Sequence, residues 1–213
     1  MAVLVAVVSA CSSSESPSTL APAPEAAPPS SAASSSDGVT TASDTFGAAC
    51  SQLPKGNAPG SLDSMGPMPV ASAASTNPLL KTLVSTVKAA NLVDVLNSQK
   101  AITVFAPYDP AFDAVKKSIG DAKFSALLAN KDALGNILKY HVIARRYDKA
   151  GLLAEPSGSI ATLAGGSLQI KSDGDTLTVT DGAGTTAHVL CGNIPTKNAT
   201  VFVIDKVLMG QKS

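Results

Sequence analysis

Helical spacing of apolar residues in the first half of the folded region, strand-like alternation in the second, and one short apolar run that turns abruptly into a helix predict an α+β domain. The run lies in Ile102 to Phe112, ITVFAPYDPAF. It is too short for a helix and rich in β-branched and aromatic residues, with Ile102, Val104 and Ala106 on one face and Thr103 and Phe105 on the other. Pro107 ends the ladder. Asp109 then reads as a helix start, its carboxylate accepting from orphan backbone amides while Pro110 supplies a pre-set φ at the first helical position. Phe112 and Val115 continue the apolar face.

Ahead of this strand, Asn77 and Pro78 give a similar start signal, and Leu80, Leu83, Val84 and Val87 recur at the spacing of one buried helix face. Asn91 ends that helix, and Leu92, Val93 and Leu96 make a second short one. Beyond the Asp109 helix, Gly120 is a break and Phe124, Leu127 and Leu128 mark another. Asp132 is placed to cap the next, in which Leu134, Ile137, Leu138 and His141 keep the period and the end merges into Tyr140 to Ile143. After Ala150 the pattern alternates. Leu168 and Ile170 lead to a turn at Asp173 and Gly174, Leu177 and Val179 answer them, and Asp181, Gly182 and Gly184 turn the chain into Thr185 to Leu190. This is an antiparallel meander. The closing strand, Thr200 to Ile204, is apolar on both faces and belongs in the centre of its sheet.

The chain has 213 residues, 45% of them hydrophobic and 15% charged, enough for one domain with a core and an additional segment. The additional segment is at the front. Residues 1–11, MAVLVAVVSAC, are apolar but too few to span a bilayer, since about 20 helical residues are needed, so they read as the core of a signal peptide. Val8, Ser9, Ala10 and Cys11 resemble a bacterial lipobox, which implies lipidation of Cys11. No Lys or Arg precedes the run, and the start is accordingly read as lying downstream of the true one. Residues 12–49 are dominated by Ser, Ala and Pro, a composition that cannot offset its conformational entropy, and read as a disordered tether. Residues 50–71, with Pro54, Pro59, Pro67 and Pro69, read as an irregular lead-in to a domain at 72–211.

With Cys11 lipidated, Cys50 and Cys191 remain, and an even remainder in an exported chain reads as a disulfide. Two free thiols are the alternative. Two cysteines and two distant histidines lack the close ligand spacing of a zinc site, and no metal or cofactor is expected.

Charge and motif exclude further classes. Residues 1–54 carry four acidic groups and no Lys or Arg, and the remainder carries 16 basic against 12 acidic groups, too small an excess for a nucleic-acid binder. There is no G-x-S-x-G elbow, H-E-x-x-H pair or P-loop, so no catalytic residue is assigned and the chain is read as not an enzyme. The carboxylate pairs Asp173 with Asp175 and Asp109 with Asp113 read as solvated. Asp205 reads as a buried cap or turn acceptor. Arg145 and Arg146 read as a solvated edge strand, with contact to anionic lipid or glycan as the alternative.

Three blocks in order resemble the signature of the fasciclin-type domain: Thr103 to Phe112 (TVFAPYDPAF), Tyr140 to Val142, and Ala199 to Met209 (ATVFVIDKVLM). The turn at Tyr108, Asp109 and Pro110 departs from the small polar residues more usual there. With the lipobox, tether and cysteines, the chain is similar to mycobacterial surface-lipoprotein antigens of this type. The resemblance implies a wedge of antiparallel β-sheet flanked by short helices, and a surface-anchored adhesion or host/matrix interaction module. It also implies a cell-surface or extracellular matrix protein or glycan as partner, and the adhesion reading predicts that this partner is met through exposed helix and loop residues with no internal cavity. Membrane contact is expected through the lipid anchor alone, on the extracytoplasmic face, with a released form as well. In some animal members the tyrosine-histidine segment is implicated in integrin contact, which carries over weakly to Tyr140 and His141. Their apolar neighbours at a helix-to-strand junction favour a structural role instead. The alternative function is a carrier for a hydrophobic envelope component, held between sheet and helices.

Overall fold

The computed structural model describes residues 37–174 and 176–210. The leader, Cys11, the tether as far as residue 36, and Asp175 lie outside them. Helices α1 (Leu62–Met65), α2 (Val70–Thr76), α3 (Lys81–Ala89) and α4 (Val93–Ser98) precede strand β1 (Ile102–Pro107). Three further helices, α5 (Asp109–Ile119), α6 (Asp121–Ala129) and α7 (Lys131–Tyr140), lead to β2 (Val142–Ile143) and α8 (Lys149–Leu153). The chain then runs through β3 (Ser159–Ala161), β4 (Ser167–Asp173), β5 (Thr176–Thr180), β6 (Thr186–Pro195) and β7 (Ala199–Ile204).

The strands form one sheet in the order β2-β1-β7-β6-β5-β4-β3. Antiparallel pairing holds along the meander, and β1 lies parallel to β7 from Ile102 opposite Ala199 to Pro107 opposite Ile204. A parallel pair buried on both sides has no solvent face to encode, which is why both strands read as unbroken apolar runs. Val104, Ala106, Val201 and Val203 face a core shared with α2 to α5 and α7. Phe105, Phe202 and Ile204 face a second core with Leu168, Leu177 and Val179. The rings of Phe105 and Phe202 pack with centroids 5.5 Å apart.

Ordered structure begins earlier than composition indicates. Residues 37–49, read as tether, lie on the sheet: Phe46 exchanges backbone hydrogen bonds with Gly192, the Gly38 carbonyl accepts from Thr200 Oγ1 at 2.7 Å, and the Asp44 carbonyl accepts from Asn193 Nδ2 at 3.0 Å. One aromatic ring and hydrogen-bond donors some 150 residues away hold this segment, and neither registers in its Ser- and Ala-rich composition. The lead-in 50–71 likewise contains α1, whose start is capped by the Ser61 hydroxyl accepting from Ser64 N at 3.2 Å.

Two caps also differ from expectation. The helix read as capped by Asp132 is capped by Asn130, whose side chain accepts from Ala133 N at 3.1 Å. Asp109 does not cap its own helix. Its Oδ1 accepts from Thr82 N at 2.7 Å in the first turn of α3, and its own N–H donates to the Leu79 carbonyl, so it joins the start of α5 to the start of α3. Orphan amides of either helix start are chemically equivalent partners for a carboxylate, and the packing of α3 against α5 decides between them.

Candidate functional site

The corner from α7 to β2 carries Tyr140 and His141, and both point into the protein, at 5% and 3% exposure. His141 Nδ1 faces the Ile137 carbonyl at 2.8 Å, which can only accept, and Nε2 faces the Leu208 N–H at 2.9 Å, which can only donate. These partners fix a neutral imidazole protonated at Nδ1. Burial is the main cause that pushes the His141 pKa down to about 4, against the weaker upward pull of the Ile137 carbonyl and of Asp181. The Tyr140 hydroxyl donates to the Ser167 carbonyl at 2.8 Å and accepts from Gly182 N at 3.0 Å. Asp181 completes the set, its Oδ1 accepting from Ala183 N and Thr185 N and its Oδ2 from Met209 N at 3.0 Å. Two consecutive amides of the C-terminal segment, 208 and 209, are thus held by His141 and Asp181.

Arg146 overturns its reading as part of a solvated edge. It is buried, with Nη2 donating to the carbonyls of Thr196 and Ala199 at 2.7 and 2.9 Å and Nε donating to Thr200 Oγ1 at 3.1 Å. Thr196 and Ala199 bond to each other within that loop, and a long side chain with several donors adds the partner that the Thr196 carbonyl lacks, a requirement set by tertiary structure. Arg145 does face solvent. Its side chain is 64% exposed, lies 3.7 Å from Glu155 and stacks over the Tyr147 ring at 4.9 Å. Of Tyr140, His141, Arg145 and Arg146, Arg145 alone is available to a partner.

Cys50 and Cys191 form a disulfide, with Cα atoms 5.0 Å apart. Asp205 follows β7 and accepts from His188 N at 2.7 Å, with its other oxygen 3.1 Å from His188 Nδ1, so it acts as a turn acceptor but is only partly buried. Among the described residues no group of three or more His, Cys, Asp or Glu is arranged to hold a metal ion.

The adhesion reading implies no internal cavity and the carrier reading a gap between sheet and helices. An apolar cavity of about 160 Å³ lies among α2, α3, α4, β1 and α7, walled by side chains including Val70, Leu83, Val87, Leu96, Val104 and Leu138, with His141 at its inner side. A second recess of about 210 Å³ shares Leu96, Leu138 and Val142 as walls and extends to Val95 and Leu163, both exposed. The periodicity of α3, α4 and α7 identifies these walls as core positions. The space left between five elements depends on how their volumes sum, which no single helix pattern contains.

A helix-flanked sheet wedge closed by a His-held C-terminal segment places the chain in the fasciclin class of domains. The chain belongs to the fasciclin family: the fasciclin domain model matches residues 78–210. Over 175 residues it is 38% identical to the immunogenic protein MPB70 of Mycobacterium bovis, covering 79% of this chain and 83% of that protein. It is 39% identical over 178 residues to the cell surface glycolipoprotein MPB83 of the same species, covering 79% of this chain and 73% of that protein. A cyanobacterial relative, protein sll1483 of Synechocystis, is 34% identical over 142 residues, covering 67% and 73%. Among solved structures, the fasciclin domain pair of the insect cell adhesion molecule fasciclin I superposes with a TM-score of 0.57 at 18% identity. The match covers 66% of this chain and 50% of that one, a likeness of fold.

Proposed function

We propose that this chain is a non-enzymatic interaction module displayed at the outer face of the cell envelope, tethered through lipidated Cys11 and meeting a cell-surface or matrix protein or glycan. The observation that carries this reading is the inward use of the polar groups. Tyr140, His141, Asp181 and Arg146 are consumed largely by backbone partners, and the cavity that His141 lines is walled mostly by apolar side chains, so among the described residues these groups do not converge where a substrate could be transformed. Recognition is left to the exterior, where Arg145 stands against Tyr147 and Glu155. The family's adhesion-molecule structure and the cell-surface glycolipoprotein relative support the placement.

The test is binding of the full chain, immobilised on beads, to purified matrix proteins and to cell-surface glycans. Saturable capture that weakens with Arg145→Glu is the expected result, and capture indifferent to unfolding the chain would sink the reading. Mass spectrometry of the membrane-extracted protein checks the anchor. A lipid-modified Cys11 at the mature N-terminus is expected, and an intact, unmodified Met1 would remove it.

A further inference from the structure

The cavity among α2, α3, α4, β1 and α7 has a chemistry that surface adhesion does not use. Among its lining residues the polar ones are Ser72, Ser75, Lys88 and His141. Ser75 Oγ already donates to the Ser72 carbonyl at 2.6 Å, and both ring nitrogens of His141 are taken by Ile137 and Leu208. A buried water needs two to four polar partners, and Ser72 Oγ, itself 3.5 Å from Asn97 Nδ2, is the one uncommitted side-chain hydroxyl among these lining residues. At about 160 Å³ the cavity is close in size to the roughly 150 Å³ apolar cavity that takes up benzene, but it opens to solvent at Ser75 and Lys88. The cavity and the adjoining 210 Å³ recess together enter the range of small-ligand sites, roughly 300 to 1,000 Å³.

The rim is cationic. Lys88 lines the cavity and Lys139 lines the recess, both exposed, and no Asp or Glu lines either. Neither ammonium forms an ion pair within the described residues. Val95 and Leu163, two of the five large apolar side chains exposed among the described residues, stand on the recess, so the apolar surface runs from the interior out to solvent beside these charges. An apolar slot with a positively charged lip complements a molecule with one alkyl chain and one negative head.

We propose that this recess binds a medium-chain fatty acid, its alkyl chain lying between α2, α3, α4 and β1 and its carboxylate meeting Lys88 and Lys139. A polar ligand would leave its hydrogen bonds unmade against Leu83, Val87, Val104 and Leu138, and an uncharged hydrocarbon would make no use of the lysines. The inference is separate from surface adhesion. Either can fail with the other intact, because Arg145 lines neither recess.

Isothermal titration of the full chain carrying Cys11→Ser, stripped of lipid, with dodecanoate and with dodecanol tests it. Dodecanoate is expected to bind at one site per chain and about tenfold more tightly than the alcohol, the order that two exposed charge contacts supply. Lys88→Glu combined with Lys139→Glu should abolish that preference while leaving alcohol binding unchanged. Val84→Trp, filling the cavity, should remove both ligands. Because an oversized side chain can disturb packing, circular dichroism of that variant accompanies the titration, and the surface lysine pair, which leaves the core untouched, provides the second arm. No heat from dodecanoate on the folded parent chain overturns the proposal, as does equal binding before and after the charge reversals.

Discussion

His141 Nε2 accepts the backbone N–H of Leu208 at 2.9 Å, so one imidazole fastens the end of α7 to the segment that follows β7. The bond exists only while Nε2 is unprotonated. With the folded pKa down at about 4 against an ordinary 6.5, the unfolded chain binds more protons between these values. The His141 contribution is therefore complete above about pH 6.5 and is lost as pH falls towards 4, a difference on the order of 3 kcal/mol. Urea midpoints between pH 4 and 8 should fall more steeply on the acid side for the parent chain than for His141→Gln. Parallel curves would show that His141 is not the group responsible.

Arg145 and Arg146 are neighbours in sequence with opposite surroundings, and their substitutions should separate accordingly. Arg146→Ala strips the buried Thr196 carbonyl of its donor and takes one of three donors from the Ala199 carbonyl, which keeps Thr196 N and Oγ1, at a cost of about 1 to 3 kcal/mol. Arg145→Ala removes an exposed ion pair and one stacking contact, within about 1 kcal/mol. Denaturant unfolding of both variants measures the contrast, and similar losses would contradict the placement of these side chains.

The disulfide closes a sequence separation of 141 residues. The chain-entropy argument gives such a loop about 5 kcal/mol, an upper figure since residual structure in the reduced chain lowers it. Cys191, in β6, is fully buried on the side of the sheet that faces the helices, while Cys50 anchors the segment around Phe46. Cys50→Ser with Cys191→Ser should lower the melting temperature and expose the chain to trypsin at Lys55 before the sheet is lost. Unchanged proteolysis at Lys55 would mean that Phe46 and the Asn193 and Thr200 hydrogen bonds hold the segment without the bridge.

How far the sequence reveals this architecture depends on the range of the interaction that fixes each part. The faces of α3, α5 and α7, the turns at Gly174 and Gly184, and the central position of β7 follow from local periodicity and turn chemistry, and were legible. Asp109 reaching Thr82, Arg146 reaching Thr196 and Ala199, and Thr200 reaching Gly38 depend on partners 27 to 162 residues away and left no local trace. The same holds for the cavity, whose walls were legible as core positions while the space between them was not. The buried side of Tyr140 and His141 was foreseeable because their apolar neighbours require internal hydrogen-bond partners, though not which carbonyls and amides those would be.

Gly192 and Phe46 supply the last prediction, since here a missing side chain in β6 makes room for the N-terminal segment. A Cβ on residue 192 would come within 2.4 Å of the Phe46 ring and 2.9 Å of Phe202. The register of β6 against β7 shifts between Cys191 and Ile194, where Asn193 adopts a φ of 57°, so the strand bends under the ring instead of continuing flat. Gly192→Ala should therefore cost about 1 to 3 kcal/mol by overpacking. Phe46→Ala alone should lose the edge-on contact with Phe202, whose centroid is 6.3 Å away, and with it much of the hold on residues 37–49. If the clash is with Phe46, the double variant should lose clearly less than the sum of the two single losses, because the added methyl then occupies space that the ring has vacated. Strict additivity in the double-mutant cycle would place the strain against Phe202 and make the bend in β6 independent of the segment it receives.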